Sequence, residues 1–270
     1  MKSDYLMESK DEILRLEMKT DADEVRRNAE WCGIKPGMTI LDLGCGTGRT
    51  THILHEMIQP GGKAVGVDSS SDRIEYARKH YGNREGIEFH VRDVHQRMDD
   101  LGAFDMIWVR FLLEYFRAES PDIVRGLVNA LGPGGGLCLL DLDQNCLNHY
   151  ELPRSLDTML NRVMERLEED YNFDAHAGRK LYSYLYDEGL EHIDVHIMPH
   201  HLIYGEIEEK DAFNWVKKVE MAALKVNDLF EEYPGGREAF FEDFTRFFHD
   251  PRRFTYSCLI LCKGHKPRRS

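Results

Sequence analysis

The sequence predicts a doubly wound α/β protein: a mostly parallel sheet with helices on both faces. Three observations predict it. Short, nearly all-apolar runs alternate with amphipathic helical stretches between Ile40 and Leu142, the pattern of parallel strands covered on both sides. The stretch ILDLGCGTGRT, Ile40 to Thr50, reads as strand, glycine turn and helix. The next strand ends in an acid, Asp68, 20 residues past Gly48. That is roughly the 20-residue spacing at which a carboxylate meets a ribose hydroxyl pair in nucleotide-binding βαβ units.

In chain order, residues 11–31 read as helix. Ile13, Leu14, Leu16 and Met18 lie among charges at helical spacing, followed by Val25 and Trp31. A break falls near Thr20-Asp21, where either residue can cap a second helix. Gly33 to Gly37 is a turn, and strand one occupies 38–43. Gly44, Gly46 and Gly48 then recur at every second position. They permit positive φ and close approach of a ligand to the main chain. The helix from Arg49 to Met57 offers its free N–H groups and positive dipole end to the same place, and Gln59-Pro60-Gly61-Gly62 stops it.

Strand two is 63–67, and Ser69-Ser70-Ser71-Asp72 caps a helix from Asp72 to His80. Strand three alternates Ile87, Phe89 and Val91 with Glu88 and His90; strand four is the apolar run Phe104 to Val109. A helix over Pro121–Leu131 precedes the glycine-rich turn 132–136 and strand five, Leu137 to Leu142. From Cys146 to about Gly189 the composition shifts to long helical stretches, Leu156–Tyr171 and Gly178–Glu188. An alternating strand, Leu190–Tyr204, two helices (Asp211–Leu229 and the Phe-rich Glu238–His249) and a final strand, Phe254–Lys263, complete the chain.

The 270 residues suffice for one large α/β domain or two small ones. The 31% charged and 42% hydrophobic content fits a soluble globular protein. A net charge of −13 repels phosphate backbones and argues against nucleic acid as a partner. The basic tail Lys263, Lys266, Arg268 and Arg269 reads as a solvated, frayed end. No apolar run approaches the roughly 18 residues of a membrane span, and the N-terminus is too polar for a signal peptide. None of the six cysteines makes a C-x-x-C pair. Cys258 and Cys262, about 13 Å apart on a strand, cannot pair. Reduced thiols in a cytoplasmic protein are the simplest expectation.

A dinucleotide fingerprint, G-x-G-x-x-G, fails here because Arg49 stands at its last position. What stands instead, LDLGCGTG behind Asp42, resembles motif I of the class I S-adenosylmethionine-dependent methyltransferases. The resemblance covers roughly 38–143 and returns at the C-terminus; the small-molecule group related to ubiquinone biosynthesis is the most similar. It implies a Rossmann-like seven-stranded sheet of order 3-2-1-4-5-7-6, the last strand antiparallel between its neighbours. It also implies S-adenosylmethionine (SAM) as cofactor and S-adenosylhomocysteine (SAH) as product. A single domain, 1–270, is expected. It would comprise an N-terminal helical segment (1–32), a SAM-binding core (38–143), a helical cap including strand six (146–250) and a final strand (253–264).

Carried over residue by residue, the cofactor set is Gly44, Cys45, Gly46, Asp68, Ser69, Arg73, Asp93, Val94 and Arg110. Asp68 would take the ribose, and Asp93 and Val94 the adenine. Asp93 also suits a helix N-cap, and the two roles are compatible. Arg73 stands where the family usually has an apolar residue over the adenine. Arg15 and Met18 suit either cofactor contact or, respectively, solvation and packing. Arg110-Phe111-Leu112-Leu113 departs from the motif of the adenine and glutamine N-methylators and leaves the acceptor atom open. Arg110, Tyr115, Asp143 and Tyr150 lie near the predicted active edge, with no catalytic residue assigned.

Other chemistries fit less well. His192, His196, His200 and His201 tempt a metal reading, but on a strand residues four apart are about 13 Å apart, too far for one ion. They read as a solvated strand face, and no metal is expected. No G-x-S-x-G elbow and no Walker loop occurs. The aromatics of 240–248 read as core, or in part as pocket lining. The expected function is methyl transfer to a small-molecule acceptor. The alternatives are a non-catalytic SAM-binding protein and a nicotinamide-dependent oxidoreductase.

Overall fold

The computed structural model describes residues 12–145 and 147–268. Its sheet has seven strands: β1 (Thr39–Leu43), β2 (Lys63–Asp68), β3 (Ile87–Val91), β4 (Phe104–Arg110), β5 (Leu131–Asp143), β6 (Glu191–Tyr204) and β7 (Phe254–His265). Their order is β3-β2-β1-β4-β5-β7-β6. β1 to β5 run parallel, and β7 lies antiparallel to both β5 and β6. This is the expected doubly wound sheet. β5 starts earlier than expected because the glycine-rich turn is absorbed as an irregularity between the Phe104–Leu131 and Met106–Gly136 pairs.

Period-two alternation decides which helices cover which face. Ile40, Ala64 and Trp108 pack with α2 (Ala22–Cys32), α3 (Arg49–Met57) and α4 (Ser71–Tyr81). Leu41, Val65 and Val109 face the other way, onto α5 (Ser120–Ala130) and α7 (Leu181–Asp187). α1 (Glu12–Lys19) ends where the break was expected, and Asp21 caps α2 by accepting from the Asp23 and Glu24 N–H groups. A third core forms among α6 (Arg154–Asp170), α8 (Glu209–Lys225) and α9 (Gly236–Phe248). Phe240, Phe244 and Phe248, one helical face of α9, are fully buried in it.

Three expectations need correction. Cys32 and Cys138, 106 residues apart, form a disulfide between α2 and β5. The thiol argument for a cytoplasmic location therefore falls. Cys45, Cys258 and Cys262 are free, and Cys146 lies outside the described residues. The basic tail is not frayed up to Lys266. Lys263 is part of β7 and donates to the Trp31 carbonyl, and Lys266 donates to the carbonyls of Val128 and Leu131. Arg269 lies outside the described residues. Finally, His192 and His196 are exposed, but His200 and His201 turn inward. The ladder slips between His200 and Ile203, and His201 has φ +49°. The register is unbroken from Asp194 to His200, so His200 shares the face that Met198 turns to the core; the extra residue that follows breaks the alternation and brings His201 inward as well. Among the described residues no group of three His, Cys, Asp or Glu could hold a metal ion, and no helix is long and apolar enough to cross a membrane.

Candidate active site

The carboxyl ends of β1, β2 and β4 open onto one cavity, at the point where strand order reverses. Eight of the nine expected cofactor residues line it: Gly44, Cys45, Gly46, Asp68, Ser69, Arg73, Val94 and Arg110. Asp93 does not. Its carboxylate accepts from the His95 N–H at 2.9 Å and pairs with the His95 ring, tying down its own exposed turn. Tyr115 also lines the cavity, whereas Asp143 is engaged by Arg179 at 2.7 and 2.9 Å and Tyr150 is exposed. Arg15 lines the cavity; the Met18 side chain lies outside the described residues.

The glycine loop is shaped by its neighbours. Gly44 and Cys45 both donate to the Val67 carbonyl, which folds the loop back across β2. Gly46 has φ +54°, and a Cβ built on it would lie 3.3 Å from Leu16 of α1. The absence of side chains here lets α1 lie directly across the loop, where Arg15, Leu16, Lys19 and Thr20 form one wall of the cavity.

Asp68 is the hub. Its Oδ2 accepts from the Gly46 N–H at 2.9 Å. Its Oδ1 accepts from the Ser70 N–H at 2.9 Å and from Arg73 Nε and Nη2 at 3.1 and 3.0 Å. Arg73 thus uses its guanidinium on Asp68 and is itself buried. Beneath the loop, buried Asp42 accepts from Thr51 Oγ1 at 2.6 Å. Burial pushes its carboxyl up to about 7, outweighing the Thr51 bond.

At the tip of β4, Phe111 takes a left-handed backbone, φ +55°. Such strain costs roughly 1–3 kcal/mol and concentrates at functional sites. The Arg110 guanidinium lies 4.2 Å from the Phe111 ring centroid, and the Lys19 ammonium 4.9 Å. Arg110 also pairs with Glu24 at 3.0 Å, and the second Glu24 oxygen lies 3.7 Å from His200 Nδ1. Burial would raise the Glu24 carboxyl, but His200 and Arg110 outweigh it and hold it at about 2. Burial lowers His200 to about 4, against the pull of Glu24.

A histidine whose folded pKa lies below its unfolded value binds fewer protons when folded, so its contribution to stability is lost as pH falls from about 6.5 through 4. The stability of the natural protein relative to His200→Gln is therefore expected to shrink over that window in chemical denaturation. A difference that is flat with pH would show that His200 is not held neutral.

Glu24, Lys19, Glu114 and His200 were not singled out as site residues in the sequence. Arg15 and Lys19, spaced i, i+4, share a helix face and carried a usable signal. His200 carried none, because its strand face is covered only where α2 brings Glu24 beside it, a contact between distant segments.

The model of the family described as "Methyltransferase domain" matches residues 34–189. The chain belongs to this family, within the class I SAM-dependent methyltransferases. A demethylmenaquinone methyltransferase of Lactococcus lactis is 29% identical over 120 residues, 43% of this chain and 46% of that protein. The juvenile hormone acid O-methyltransferase of Bombyx mori is 27% identical over 195 residues, 71% of this chain and 59% of that protein. The crystal structure of YcgJ from Bacillus subtilis superposes with a TM-score of 0.59 at 17% identity, covering 92% of this chain and 99% of its own. That likeness concerns the fold. The matches to the first relatives span only 32% to 46% of those proteins' length.

Proposed function

We propose that this protein transfers a methyl group from SAM to a small-molecule acceptor. The observation that carries the reading is the convergence of the glycine loop, Asp68 and the β4 tip on one cavity crossed by α1. The residues fit the cofactor chemically. An ionised carboxylate oxygen accepts about two hydrogen bonds, and Asp68 Oδ2 holds one, from Gly46. Gly44 and Gly46 present bare backbone to the cavity, and a Cβ at Gly44 would lie 3.0 Å from Leu112.

When bound, SAM would supply an electrophilic methyl on a sulfonium. The chain's own part is to align the acceptor and exclude water. Asp68, held by Arg73 and Ser70, is fixed as an acceptor for ribose hydroxyls. Val94, Leu112 and Phe116 give apolar wall, and Phe111 and Tyr115 stand at the β4 end where the acceptor would enter. Among the described residues none of 147–250 lines this cavity. The cap instead backs it, through Phe173 against Tyr115 at 5.7 Å between ring centroids. A mouth narrowed by α1 and backed by the cap favours a small acceptor, as do the names of the two relatives above.

Titration calorimetry provides the test. SAM and SAH should bind and NAD should bind far more weakly. Tight NAD binding without SAM binding would overturn the reading. Release of SAH from SAM on addition of a metabolite extract would separate an enzyme from a SAM-binding protein without turnover.

A further inference from the structure

We propose that the acceptor is a small organic acid whose anionic group docks on Lys19, with Lys218 and Arg15 beside it. This deepens, and rests on, the methyl-transfer reading. The cavity's charges are unevenly answered. Arg73 is met by Asp68, Arg110 by Glu24 and Arg49 by Glu17. Lys19 is not: among the described residues no carboxylate lies within 4 Å of its ammonium, whose close partner is the face of Phe111 at 4.9 Å. Lys218, from α8, does not line the cavity but acts on Lys19 from behind its wall; it donates to the neutral amide oxygen of Asn145 at 3.1 Å and also has no carboxylate within 4 Å among those residues. In a chain of net charge −13, two lysines with no carboxylate within 4 Å among the described residues, Glu114 acting on Lys19 only from farther away, are a place for a ligand's charge.

Their position in the sheet separates them from the nucleoside end. Asp68 and Arg73 follow β2, and the glycine loop follows β1. Lys19 sits over the residue that follows β4, and Lys218 over the one that follows β5 by two. In the order β2-β1-β4-β5 this is the far side of the cavity, where Phe111 and Tyr115 add apolar surface. An apolar acid with its head at Lys19 and its body along these rings matches that surface.

The electrostatics agree. Burial first, then Lys218 and Arg15, and finally Arg110, lower the Lys19 ammonium to about 7, against the single opposing pull of Glu114. From β6, His200 and His201 also face this group, and both are held neutral by burial. A bound anion would restore the charged form, so binding should take up a proton. The uptake should be about half a proton per site at pH 7, rising toward one at pH 8 and falling toward zero at pH 6.

The test is calorimetry on SAH-saturated protein, titrated with octanoate and with octanamide in buffers of different ionisation enthalpy. Octanoate should bind at least about tenfold more tightly than the amide, in keeping with a charge-assisted contact. Proton uptake should follow the stated pH course, and Lys19→Met should abolish both the preference and that uptake. Equal affinity for acid and amide, or no octanoate binding, would overturn the proposal. So would proton uptake on SAH binding with none on octanoate, which would give Lys19 to the cofactor's own carboxylate. Failure of SAH to bind the natural protein is a different result and strikes the methyl-transfer reading itself.

Discussion

Asp68→Ala is expected to lose SAH binding at least tenfold and, at the same time, to lower unfolding stability by about 3–5 kcal/mol. The structure adds the second effect to the one the sequence suggested. From sequence, Asp68 is a ligand for two ribose hydroxyls. In the fold it also neutralises Arg73, whose side chain and its own are each 9% exposed, and it satisfies the Gly46 and Ser70 N–H groups. Alanine leaves a buried guanidinium without its counter-charge and frees the loop that Gly46 anchors. Denaturation midpoints measured with and without SAH separate the two losses. Asp68→Ala paired with Arg73→Met should recover much of the stability, because the stranded charge is gone, but none of the affinity. A folded Asp68→Ala protein that binds SAH as the natural one does would remove Asp68 from the site.

The second large effect is expected at Gly48, which caps α3 with φ +84°. A Cβ there would lie 2.7 Å from both the Ala77 Cβ and the Phe89 ring, inside the interface of α4 and β3. The left-handed backbone costs an L residue about 1–2 kcal/mol, and overpacking a filled core adds about 1–3 kcal/mol. Gly48→Ala should therefore lose roughly 2–5 kcal/mol, and the shift of the helix start should weaken SAH binding as well. Gly33→Ala is the control. It has φ +89° and nothing within 4 Å of a built Cβ, so only the backbone cost applies. If the two variants prove equally stable, the crowding at Gly48 is relieved by a small shift of Phe89, and the glycine serves conformation alone.

What the sequence determined by itself is the part of the protein written in local pattern. The alternation of buried runs and amphipathic helices gave the parallel strands β1 to β5. The resemblance carried by LDLGCGTG added the order of all seven. The loop and Asp68 were legible because a strand–turn–helix unit places its own residues: Gly44, Gly46 and Asp68 meet through one βαβ crossover, whatever the remainder of the chain does. Arg73 was legible as a position, one helical turn beyond Asp68, but not as a partner. Only packing shows that its guanidinium turns back onto the carboxylate rather than over a base.

The tertiary structure alone decided contacts between distant segments. Cys32 and Cys138 are 106 residues apart, and spacing cannot report a pair brought together by α2 lying on the sheet. His200 faces Glu24 because β6 pairs with β7 in unbroken register from Asp194 to His200, so its ring shares the face that Met198 turns to the core, where Glu24 of α2 lies. Lys263 and Lys266 looked like a loose basic end, yet β7 lies between β5 and β6, and that position delivers both ammonium groups to backbone carbonyls. The charge balance of the cavity belongs to the same class. Lys19 comes from α1, Phe111 and Glu114 from the turn after β4 and Lys218 from α8. No period or motif links them, and their shared surroundings exist only because the cap core packs behind the open end of the sheet.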